Sequence, residues 1–179
     1  SGAGYIRINT NYDDLGLIIR EFRYALAQFQ LNGITTLIID MRYNSGGANL
    51  GLAGYLGDGV IQLGRLEYYS DETHRFEPEG PAEQVLPNDP QYDFDAIAVL
   101  VGPACASACE LEADGFANLP NAMVVGMYPS AGIEAEVSRG QYVLPEGIGI
   151  QIPTGRFTNP DGSLFLEGVG VVPTVKVPV

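Results

Sequence analysis

The sequence predicts an α/β fold whose last third turns β-rich, and three observations carry that reading. Two continuous apolar runs, Ile34 to Asp40 and Ala96 to Val101, have the composition of strands buried on both faces of a parallel sheet. Each leads through a turn of small residues into a helical pattern. After Gly132 the pattern changes to short strands broken by turns.

The elements follow in order. Gly4 to Asn9 alternates enough to read as a first strand. Asn11 to Leu31 reads as an amphipathic helix, with Leu15, Ile18, Ile19, Phe22, Leu26 and Phe29 recurring on one face. Asp13 and Asp14 suit its positive end, and Asn32-Gly33 suits its stop. Ala48 to Leu56 reads as a short helix, and Val60 to Ser70 with His74 to Phe76 as strands of a hairpin or arm. Glu77 to Asp95 is polar and proline-rich, which predicts a long surface loop. Ser107 to Asn118 reads as a helix and Ala122 to Gly126 as a strand. Short strands are predicted at Glu134 to Ser138, Gln141 to Leu144, Gly147 to Ile152, Ser163 to Leu166 and Thr174 to Val177, with Asn159-Pro160-Asp161-Gly162 as a strong turn. The chain reads as one domain over 1–179, with a β-α-β part (1–132) and a β-rich part (133–179).

Composition narrows the partners. The 179 residues carry a formal charge of -13 with Lys176 as the single lysine. Such a surface repels phosphate backbones and anionic lipid, so no nucleic acid and no membrane insertion are expected. No run approaches the roughly 20 apolar residues that span a bilayer. The opening Ser1-Gly2-Ala3-Gly4 leads toward the first strand without a signal-peptide pattern, as a mature form or an excised fragment would. Cys105 and Cys109 lack the further ligands of a zinc site and read as two small buried thiols, with a short disulfide around the intervening turn as the alternative. No metal or organic cofactor is indicated.

The chemistry-bearing segment is Ala104-Cys105-Ala106-Ser107-Ala108-Cys109-Glu110, at a strand-to-helix junction. A hydroxyl there can be held as a nucleophile beside the unpaired N–H groups of a helix start. An ordinary serine N-cap is the plainer account of the same pattern. Asp40-Met41-Arg42-Tyr43-Asn44-Ser45-Gly46-Gly47 repeats the layout of strand, glycine turn and helix, so two such turns can face one another across a cleft. Asn44 is placed to bond backbone groups and shape its turn; Arg42 and Asp40 read as structural.

These segments resemble the C-terminal processing, or tail-specific, serine peptidases over nearly the whole chain. The resemblance rests on Gly4-Tyr5-Ile6-Arg7-Ile8, on Ile38 to Gly47, on Ser107-Ala108-Cys109-Glu110, on Val124-Val125-Gly126 and on Glu167-Gly168-Val169-Gly170-Val171-Val172-Pro173. It implies a crotonase- or ClpP-like α/β core with an attached β region. It also implies Ser107 as nucleophile, the Ala108 and Gly47 amides as oxyanion donors, peptide or protein substrates, and an extracytoplasmic location (periplasmic, cell-surface or secreted). The departure is the general base. Most relatives use a lysine, and Gly132 stands in its place here; Lys176 is far along the chain. His74, the only histidine, and Glu167, where a histidine-using branch places a supporting glutamate, are the remaining candidates. In that branch the histidine comes from upstream of the first core strand, which suggests an isolated catalytic core without its PDZ domain and N-terminal part. A non-catalytic peptide-binding scaffold on the same fold, and a crotonase-like acyl-handling enzyme, are the alternatives. The oligomeric state is not legible.

Overall fold

A computed structural model describes residues 2–178. In chain order the elements are β1 (Gly4–Arg7), α1 (Leu15–Leu31), β2 (Thr36–Asp40), a 3₁₀ turn (Leu52–Tyr55), β3 (Ile61–Gln62), β4 (Arg65–Ser70), β5 (Arg75–Pro78), β6 (Gln84–Val85) and β7 (Ala96–Leu100). These are followed by α2 (Ala108–Ala117), β8 (Ala122–Gly126), β9 (Ala135–Glu136), β10 (Gln141–Val143), β11 (Gly149–Gln151), β12 (Gly155–Thr158) and β13 (Val175–Lys176).

Five parallel-paired strands form the main sheet in the order β1-β2-β7-β8-β13. Alternation along these strands sorts their side chains. Leu37, Ile39, Ile97, Val99 and Val124 are buried in the core, while Ile38, Ala98, Leu100 and Val125 on the other face are only half-buried. The core face is covered by α1, the 3₁₀ turn and α2, which meet at three rings. Phe22 of α1 lies 6.5 Å from Tyr55 and 6.0 Å from Phe116 of α2, centroid to centroid. A four-stranded antiparallel sheet, β5-β4-β12-β9, draws strands from both sides of residue 132. β10 and β11 form a separate hairpin, and β3 pairs with β6.

Several expectations are corrected. The helix after Asn9 begins at Leu15, where the Asp14 side chain caps the Leu17 N–H at 2.9 Å; Asn11 is instead a buried loop residue. Ala48 to Leu56 yields only the 3₁₀ turn, because the backbone before it is drawn onto Glu112. The polar stretch 77–95 is not merely surface: it holds β6 and buries Val85, Tyr92 and Phe94. Ser163 to Leu166 forms a single bridge to Thr158 rather than a strand. The Asn159–Gly162 turn forms as expected, with the Gly162 N–H on the Asn159 carbonyl at 2.9 Å. β12, the inner strand joining β4 to β9, was not anticipated.

Phe116 is fully buried between the layers. Truncation to alanine is expected to cost about 3–5 kcal/mol, read from urea denaturation; a loss under about 1 kcal/mol would mean that the helical layer does not rest on this ring.

Candidate active site

The carboxyl ends of β2 and β7 deliver two loops to one place. The β7 loop ends at Ser107, the N-cap of α2, with φ 56 and ψ -135. Side chains avoid this backbone region, and holding a non-glycine residue there costs on the order of 1–3 kcal/mol. The turn is held from several directions. Cys105 and Cys109 are joined as a disulfide that brackets it, which settles the two readings of these residues in favour of the bridge. The Ser107 N–H donates to the Ile133 carbonyl at 2.9 Å and to Glu110 Oε2 at 3.2 Å. The side chain of Ser107 is half-buried, neither sunk in the core nor fully in water.

The β2 loop is built by two buried asparagines. Asn44 Nδ2 donates to Asn11 Oδ1 at 2.6 Å, and Asn44 Oδ1 accepts the Gly46 N–H at 2.9 Å. Asn11 then brackets the glycines: its N–H donates to the Gly46 carbonyl, and its carbonyl accepts the Ala48 N–H, each at 2.9 Å. Asn44 thus shapes the turn as expected, and its carbonyl also accepts the Ala106 N–H at 3.1 Å, tying the two loops together. Gly46 and Gly47 have φ of 99° and 135°. A methyl group on Gly46 would sit 2.9 Å from Ser107 Cβ and 3.1 Å from the Ala108 nitrogen; one on Gly47 would sit 2.2 Å from the Asn11 carbonyl oxygen. The two turns therefore touch, and glycine is required on sterics as well as on φ. Neither the Gly47 N–H nor the Ala108 N–H has an acceptor among the described residues. An unspent amide can stabilise a negative oxygen that comes within its reach.

The third wall is the 130–134 segment, and Glu110 holds it. This carboxylate is fully buried. Its Oε1 accepts the Ser130 hydroxyl at 2.5 Å and the Gly132 N–H at 2.8 Å; its Oε2 accepts the Ile133 N–H at 2.8 Å besides that of Ser107. The Ser-x-x-Glu spacing is a capping-box signature visible in the sequence, but the reach to residues 130–133 is not. Gly132, in the lysine place, has φ 67, and a methyl there would meet the Val169 nitrogen at 2.9 Å. Lys176 is exposed on the edge strand β13. His74 is exposed in the β4–β5 turn, and no hydrogen bond joins it to Ser107 among the described residues. Glu167 accepts the Glu134 N–H at 2.7 Å, on the segment that follows Ile133.

Two buried carboxyls complete the surroundings. Glu112, on the next turn of α2, accepts the N–H groups of Leu50 at 2.8 Å and Leu52 at 2.6 Å; burial pushes it up to about 7 against those bonds. Glu134 is buried with Oε2 unpartnered among the described residues; burial, then the charges of Glu110, Glu83 and Glu167, push it up to about 8. Asp114 is raised by burial to about 6. By contrast, burial would raise Asp40, but hydrogen bonds from Arg42 and Tyr5 bring it down to about 2.

Glu110→Ala leaves a hydroxyl and several amides without their acceptor and is expected to cost about 3 kcal/mol or more; unchanged denaturant stability would remove Glu110 from this role. Glu112, Asp114 and Glu134 keep protons in the folded chain that the unfolded chain has already released. Their contribution is present below ordinary carboxylate values and lost as pH rises through about 6 to 8. The melting temperature is therefore expected to fall between pH 5 and pH 8.5, and Glu134→Gln is expected to flatten that fall. A curve rising over this range, or one identical in the variant, would contradict the assignment.

Residues 2–177 match the profile of Peptidase family S41. Among solved structures the chain is similar to the photosystem II D1 C-terminal processing protease (TM-score 0.72, 22% identity, 98% of this chain and 42% of that one). It is also similar to mature CPAF (0.76, 18%, 98% and 46%) and to a lipoprotein from Streptococcus agalactiae (0.60, 20%, 97% and 61%). At these identities the likeness is one of fold, and the chain spans about half the length of these structures. A search of curated protein sequences finds no match. No helix among the described residues is long and apolar enough to cross a membrane. With the family profile running from the first strand to the last, the chain belongs to Peptidase family S41, the serine peptidase family that its motifs resemble.

Proposed function

We propose that this chain is a peptidase core in which the Ser107 hydroxyl attacks a peptide carbonyl. The observation that carries the reading is the close contact of the strained Ser107 turn with Gly46, with the Gly47 and Ala108 N–H groups on these two turns unspent among the described residues. As Oγ bonds to the carbonyl carbon, its proton passes to a base and the carbonyl oxygen becomes an anion facing the Ala108 and Gly47 N–H groups. Collapse expels the amine, which takes the proton back; water then releases the acyl group from Ser107 by the reverse sequence. Loss of one such donor typically costs about 10²–10³ in rate.

The base is placed outside residues 2–178. Gly132 has no room for a side chain, and His74 is exposed with no bond to Ser107 among the described residues. Glu167 is then a residue that would orient an incoming histidine. The family match supports peptide or protein substrates, and an extracytoplasmic location is part of the same proposal. The glycine at 132 also favours a second reading, a peptide-binding domain that kept the fold without its base.

A fluorophosphonate probe separates them. In a protein carrying this chain at the length of its structural relatives, labelling is expected in wild type and in His74→Ala, and lost in Ser107→Ala. Loss in His74→Ala would make His74 the base. No labelling of wild type, together with no hydrolysis of a casein substrate, would favour the peptide-binding domain.

A further inference from the structure

Ser107 lies inside a turn whose two ends are joined covalently. Cys105 and Cys109 form a disulfide with Cα atoms 5.6 Å apart, and they are the only cysteines of the chain. A bridge between residues so near in sequence closes a very short loop, and so removes less freedom from the unfolded chain than one that closes a long loop. Its effect on the folded chain is local. It spans the Ser107 backbone at φ 56 and ψ -135, a region that a non-glycine residue leaves when it is free to do so.

The non-covalent ties across those two torsions are weaker. The Cys109 N–H donates to the Ala106 carbonyl at 3.2 Å and the Ser107 N–H to Glu110 Oε2 at 3.2 Å, both at the long end of the hydrogen-bond range. Glu110 also reaches the 130–133 segment, but through side-chain torsions that can follow a shift of the helix start. The Ala131 N–H donates to the Cys105 carbonyl at 2.8 Å and the Ser107 N–H to the Ile133 carbonyl at 2.9 Å, which fixes only the entry to the turn. The disulfide is the one covalent link that holds the start of α2 against that entry. Both cysteines are fully buried, so a thiol reaches the bridge only when the turn opens, and a bridge once formed persists.

We propose that oxidation of Cys105 and Cys109 sets the Ser107 turn, so that the site assembles only where thiols are oxidised. One cysteine thiolate attacks the disulfide of a small-molecule or protein oxidant and releases one of its thiols; the second cysteine thiolate then displaces the other. The two cysteines lose two protons and two electrons, and the oxidant leaves as two thiols. Without the bridge Ser107 relaxes, and its side chain leaves its place against Gly46. A reducing compartment thus keeps the chain without its Ser107 turn, and an oxidising one supplies it. The consequence for catalysis rests on the peptidase reading; the conformation of the turn does not.

The test uses the protein at the length of its structural relatives, refolded from urea either with oxidised glutathione or with a phosphine reductant. Backbone amide exchange over 104–110 is expected to be at least about tenfold faster in the reduced protein, with the β2 and β7 amides alike in both. Fluorophosphonate labelling of Ser107 is expected to fall at least about tenfold on reduction, as it does when a reacting group is misplaced. A protein with both Cys105→Ala and Cys109→Ala should match the reduced form under either condition. Ser107→Gly, which adopts positive φ without strain, should shrink the exchange difference. Equal exchange of the turn in both forms, equal labelling of both, a difference undiminished in Ser107→Gly, or loss of β2 and β7 protection on reduction would overturn the proposal. Faster exchange of the reduced turn with no labelling of either form would uphold it and count against the peptidase reading instead.

Discussion

Glu110 is buried with no salt-bridge partner among the described residues, yet four donors converge on its two oxygens. A buried carboxyl group is costly unless its oxygens find hydrogen-bond partners. Here the partners come from two parts of the chain: the N-cap of its own helix, and the 130–133 segment through the Ser130 hydroxyl and two amides. The same bonds that satisfy this carboxyl fix the Ser107 turn against the 130–134 segment. Ser130 passes the constraint on, because its hydroxyl also accepts the Val171 N–H at 2.6 Å. The closing segment of the chain is thereby joined to the Ser107 turn through one carboxyl group.

The strain at Ser107 makes sense only with that support. A residue at φ 56 relaxes unless its neighbours forbid it. The disulfide on either side, the Ile133 carbonyl on the Ser107 N–H and the contact with Gly46 restrict the turn in different directions. The opposing turn is equally over-determined, by asparagines rather than by a carboxylate. Glu112 extends the scheme, since the next buried carboxyl on α2 holds the backbone that leaves the glycine turn. One helix of ten residues thus anchors both loops that meet at the hydroxyl.

The main sheet and the two helices were legible in the sequence because each has enough residues to show a period. The Ser107 and glycine turns were legible because their pattern is local: a turn of small residues after an apolar strand. What escaped depends on partners far away in sequence. β12 is four residues between Pro153 and Asn159-Pro160, too short for alternation, and is a strand only because β4 and β9 flank it. Tyr92 and Phe94 alternate with Gln91, Asp93 and Asp95 over too short a run to stand out from the polar stretch as buried. Asn11 read as the start of a helix because its role comes from Asn44 and Ala48, more than thirty residues on. The cysteine spacing allowed a thiol pair or a bridge, and only the turn around Ser107 decides between them.

Gly132 is tied to its neighbours by its backbone. The amide of Gly132 serves Glu110, its carbonyl accepts the Gly168 N–H at 2.8 Å, and its α-carbon lies against residues 168–170. A side chain at this position would need a different φ and would push the closing segment away from Ser130. The space beside residue 132 is therefore taken up by backbone contact. Residue 133 cannot substitute, since Ile133 carries no titratable group and its carbonyl is spent on Ser107. In the proposed reading, a base therefore approaches Ser107 from its half-exposed side. What the structure itself provides is a rigid turn at Ser107, fixed by backbone and carboxylate together.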